Sequence, residues 1–116
     1  VSVCGNGTRR LLLRYSTIED IEAARDRALR DLKIRVNILK GKLRSLKQQV
    51  ENYQALAADQ ERQGKAVDAV HYVKSIDDLQ SEILSTERAV SDRQAEIAEV
   101  ESSYARDIER FATLLD

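Results

Sequence analysis

From Leu29 onward the apolar residues alternate at spacings of three and four, and this pattern restricts the chain more than any other feature. Leu29, Val36, Leu43, Val50 and Ala57 form one column. Leu32, Leu39, Leu46 and Tyr53 form the other. Two apolar positions per seven residues make the narrow seam of a coiled coil, not the broad stripe of a globular helix. A strand would need a period of two, so this run excludes a sheet over residues 29–57. The chain has 116 residues, no Pro and only four Gly, which removes the turn chemistry of a sandwich or barrel.

Gln63-Gly64-Lys65 breaks the pattern, and Gly64 suits the left-handed residue that ends a helix. Beyond it the seam resumes at Ala69, Ile76, Ile83, Val90, Ile97, Tyr104 and Phe111. Its second column is Tyr72, Leu79, Val100 and Leu114, interrupted by Thr86, Arg93 and Asp107. Helices joined by so short a turn lie antiparallel. A register in which facing residue numbers add to 129 pairs Tyr53 with Ile76, Val50 with Leu79, and Leu46 with Ile83. It also pairs Leu39 with Val90, Leu32 with Ile97, Leu29 with Val100, Ile21 with Ile108, and Ile18 with Phe111. Two layers are weak, Leu43 with Thr86 and Val36 with Arg93, and the register brings Lys40 near Glu87 and Arg35 near Glu96.

The expected fold is therefore all-α: a long antiparallel two-helix coiled-coil hairpin with the first helix over 17–62, the tip at 63–65 and the second over 66–115. Ser16 and Glu19 form a capping-box signature for the first helix. Ser102-Ser103 leaves open a short third helix over 102–116. Residues 1–16 read as a short non-helical linker or hairpin, or the stub of a preceding module. The chain begins at Val1 without Met and reads as a trimmed piece of a longer protein.

The composition offers little chemistry. One Cys (Cys4) permits no internal disulfide, and one His (His71) excludes every two-histidine metal motif. No nucleophile–base pair or Gly-rich phosphate loop is present, so the expectation is a protein that is not an enzyme, with no cofactor, metal or small-molecule substrate. No stretch approaches the ~20 apolar residues that cross a bilayer. Asn6-Gly7-Thr8 matches a glycosylation pattern but stands without a secretory signal.

Charge is the informative property. The net charge of −1 divides into +7 over residues 1–50 and −8 over 51–116. Arg25, Arg27, Arg30, Lys33, Arg35, Lys40, Lys42, Arg44 and Lys47 crowd the first helix, with Asp26 and Asp31 the only acids among them. Lys33, Lys40 and Lys47 recur every seven residues and form one stripe. Such a stripe suits an anionic membrane surface, where each cation is worth about 1 kcal/mol. The absence of interleaved aromatics and of a base-reading motif argues against nucleic acid. The bland reading pairs these cations with the acidic second helix or with a neighbour's acidic half.

Around the tip, Gly64-Lys65-Ala66-Val67-Asp68-Ala69-Val70-His71-Tyr72-Val73-Lys74-Ser75 resembles the hairpin tip of ESCRT-III proteins, the charged multivesicular body family. Leu29-Arg30-Asp31-Leu32-Lys33 and Leu43 to Leu46 resemble that family's basic first helix, and Ala55 to Ala58 its small residues before the tip. The likeness covers residues 25–100. It departs at Asp77-Asp78, where family members carry more Lys, and in the strand-like start, which is similar to the winged-helix-bearing subclass. The bacterial phage-shock and thylakoid-vesicle relatives share the hairpin. The resemblance implies a cytoplasmic subunit, peripheral on endosomal or nuclear-envelope/ER membranes. Such a subunit binds anionic lipid through its first helix and polymerises with itself or related subunits for membrane remodelling and protein transport. The alternative is a structural hairpin for oligomerisation or protein–protein contact without lipid.

Overall fold

The computed structural model describes residues 11–115 apart from Leu13. Two long helices, α1 (Ile18–Arg62) and α2 (Ala66–Leu115), account for nearly all of them. The chain is all-α, a hairpin of two antiparallel helices, with no strand among the described residues.

The start of α1 lies one residue beyond the expected cap. Thr17, not Ser16, caps the helix: its Oγ1 accepts the Asp20 N–H at 3.1 Å. Asp20 Oδ2 in turn accepts the N–H of Thr17 at 3.1 Å and that of Ser16 at 3.0 Å. Ser-Thr-Ile-Glu-Asp contains two overlapping capping frames, and the frame that wins satisfies two amides with one carboxylate.

The tip has the geometry its glycine implies. Gly64 sits at φ 75°. Its N–H donates to Glu61 O at 3.0 Å, and the Lys65 N–H reaches back to Gln60 O at 2.8 Å. These two bonds make a Schellman ending, which satisfies orphan carbonyls of α1 while the chain reverses. Lys65 O then accepts from Asp68 N at 3.1 Å and Ala69 N at 3.2 Å, opening α2.

Ser102-Ser103 does not divide α2, which passes through it to Leu115. Both serines are exposed, and Ser102 Oγ accepts from Arg106 Nη1 at 3.0 Å, so neither hydroxyl competes for the backbone. The linker or hairpin read over 1–16 falls mainly outside the described residues. At its described end Leu11, Leu12 and Arg14 take helical backbone, and the Tyr15 N–H donates to Leu11 O at 3.0 Å.

The residues divide into two compact units. One holds the described residues up to Ile34 and those from Arg93 onward; the other is Arg35–Asp92. In the first, Ile21 (0% exposed), Phe111 (2%) and Leu11 form a buried cluster. Tyr15, Ile18, Tyr104 and Ile108 pack against it. Leu29 and Leu32 are also buried there, with Ile97 and Val100 half-buried. Leu114, assigned to the seam, is exposed at the C-terminal end of α2.

The Arg35–Asp92 unit contains the seam alone. Val36, Leu46, Val50, Ala57, Ala69 and Val90 are buried, and Leu39, Leu43, Tyr53, Ile76, Leu79 and Ile83 half-buried. Two helices cover a seam from one side only, which limits burial. The Tyr53 and Tyr72 rings meet with centroids 5.7 Å apart. Thr86, one of the weak positions, is 4% exposed. Its Oγ1 donates to Glu82 O at 2.8 Å, so a polar side chain enters the seam with its hydroxyl satisfied.

Candidate anionic-surface interface on the first helix

Helix α1 carries the cations, and the turns of the helix decide which of them meet a carboxylate. In the first unit Arg25 is half-buried and turned onto its own helix. Its Nε donates to Asp26 Oδ1 at 3.1 Å, and its Nη2 lies 3.9 Å from Glu22 Oε2. Arg25 also lines an open groove of 440 Å³ with Leu29, Glu101, Ala105 and Ile108. Arg27, Arg30 and Lys33 are exposed and form no ion pair among the described residues.

In the second unit Lys42 crosses to α2 and pairs with Glu82 at 3.2 Å. Arg35, Lys40, Arg44 and Lys47 are exposed and unpaired among the described residues. The expected Lys40–Glu87 pair does not form, and Glu96, expected near Arg35, is held by Arg93 on its own helix at 2.8 Å. The one pair that crosses the hairpin among the described residues, Lys42 with Glu82, lies on the opposite flank of the seam from Lys40 and joins residues five positions off the expected level.

Among the described residues seven of the nine cations therefore have no carboxylate partner, and α1 carries no acid between Asp31 and Glu51. The stripe of Lys33, Lys40 and Lys47 is exposed throughout. Exposed ammonium groups recurring along a helix attract an anionic surface, with an energy that salt screens.

Apolar residues outside the seam were not anticipated. Ile34 and Ile38 on α1, Val67, Val70 and Val73 near the tip, and Leu84 on α2 are all exposed. A second line of three-and-four spacing on the outer faces would have revealed Ile38 and Leu84. Among the described residues no helix is long and apolar enough to cross a membrane, and no group of His, Cys, Asp or Glu is placed to hold a metal. Comparison with family models, characterised proteins and solved structures found no match.

Proposed function

We propose that the chain is an ESCRT-III-type subunit that binds anionic membranes through α1 and polymerises with itself or related subunits to remodel them. On this reading it works on the cytoplasmic side, peripheral to endosomal or nuclear-envelope/ER membranes. The observation that supports it is the set of seven exposed α1 cations without a carboxylate partner among the described residues. At about 1 kcal/mol per cation near an anionic leaflet, several acting together hold a helix reversibly on lipid.

Reversal of Lys33, Lys40 and Lys47 to Glu tests the reading. The triple variant is expected to lose co-sedimentation with phosphatidylserine vesicles at physiological salt. Unchanged pelleting would remove the stripe from the mechanism. The second reading, a hairpin module for oligomerisation without lipid, draws on Arg25 and Lys42, whose charges the chain neutralises itself. It predicts the same elution and pelleting with and without vesicles.

A further inference from the structure

Two large apolar side chains of the Arg35–Asp92 unit stand on outer helix faces, away from the seam. Ile38 on α1 is 65% exposed and Leu84 on α2 67%. Each is set in a line that includes small residues. Ile38, Gly41 and Ser45 follow one another at spacings of three and four on α1, and Ser81, Leu84, Arg88 and Ser91 do so on α2. These lines lie opposite the seam columns.

The charges around the two lines are opposite. Arg35 and Arg44 flank the α1 line, and α1 carries no acid between Asp31 and Glu51. Asp77, Asp78, Glu87 and Asp92 surround the α2 line, where Arg88 is the only cation between Lys74 and Arg93.

Gly41 supplies an independent observation. A Cβ there would meet only Arg44 Nη2 of the same helix, at 3.7 Å. Nothing described inside the hairpin requires a glycine there, yet glycine in a helix interior costs about 1 kcal/mol relative to Ala. Close approach of another helix is the physical use of such a position.

In the register expected from the sequence, where facing residue numbers add to 129, Leu84 is level with Ser45, and Asp92 with Asn37, next to Ile38. A copy displaced sideways without axial shift would bring its Leu84 against Ser45, one turn from Gly41, and its Asp92 beside Ile38 within reach of the flanking cations.

We propose that the outer face of α1 at Ile38-Gly41-Ser45 docks the outer face of α2 at Ser81-Leu84-Ser91 of a second copy. The proposal rests on the self-assembly part of the function above and names its joint. The two surfaces differ, so the contact is heterologous. Each added copy leaves one α1 face and one α2 face unpaired, and sideways translation repeats without closing.

Ile38→Glu and Leu84→Arg test the joint, since each sets a like charge against the facing surface. Both positions are exposed, and circular dichroism checks that helicity is kept. Sedimentation velocity without lipid is expected to show a concentration-dependent series for the unmodified chain, weakening as salt rises. Each variant alone should sediment as a monomer. Their mixture should give a one-to-one dimer and stop there, because it holds one live α1 face and one live α2 face. A mixture that stays monomeric would overturn the proposal, as would variants that associate like the parent. So would dimers of Leu84→Arg alone, which mean α1 faces α1. Vesicle pelleting separates this joint from lipid binding. Leu84→Arg that fails to assemble yet still pellets with phosphatidylserine vesicles supports the joint. A parent chain that stays monomeric but pellets overturns the joint and leaves lipid binding standing. Loss of pelleting by Ile38→Glu with assembly intact assigns the α1 face to lipid and overturns the joint.

Discussion

The two units of the hairpin are built from the same two helices and reach different degrees of burial. In the unit that contains the free helix ends, a third segment contributes Leu11, and Ile21 and Phe111 become fully buried in its company. In the Arg35–Asp92 unit the seam has no such cover, and half of its apolar positions stay partly in water. The lesson is that this pair of helices encloses a large side chain completely only where a third element covers it. Elsewhere it holds as a zip of layers, and its outer faces remain available to surfaces and neighbours.

The largest expected effect falls on the covered unit. Phe111→Ala should cost about 3–5 kcal/mol, the cost of emptying a tightly packed aromatic site, measured by denaturant unfolding. Leu39→Ala in the open unit should cost less, about 1–2 kcal/mol, because its half-buried side chain has less area to return to water. Equal losses at the two sites would break the comparison. Gly64→Ala should cost about 1–2 kcal/mol through the left-handed backbone alone, since a Cβ at Gly64 meets nothing within 4 Å. A melting temperature unmoved by that change would mean that the tip is not held in its Schellman form.

These contrasts were unequally legible in the amino-acid order. The seam could be read because three-and-four spacing encodes one helix face directly, and Gly64 because only one residue type turns the chain there without strain. The cap was off by one residue because Ser16 and Thr17 both head a capping frame, and only the extra amide bound by Asp20 separates them. The burial of Leu11 was invisible, since three consecutive leucines carry no phase and their partners Ile21 and Phe111 are distant in sequence. Among the cations the order showed where positive charge gathers but not which groups find a carboxylate. That choice depends on flank diagonals, as Lys42 with Glu82 shows. The outer lines through Ile38 and Leu84 were legible in principle and were hidden by the stronger pattern of the seam.

Membrane attachment by one face of α1 is the claim on which the functional account turns, and a matched pair of charge reversals tests it most directly. One variant reverses Lys33, Lys40 and Lys47 to Glu; the other reverses Lys74, Arg88 and Arg106 on α2, so the two have the same net charge. Phosphatidylserine vesicles should pellet the parent and the α2 variant but not the α1 variant, and pure phosphatidylcholine vesicles should pellet none of them. Equal loss in both variants, or pelleting that ignores lipid charge, would contradict the account.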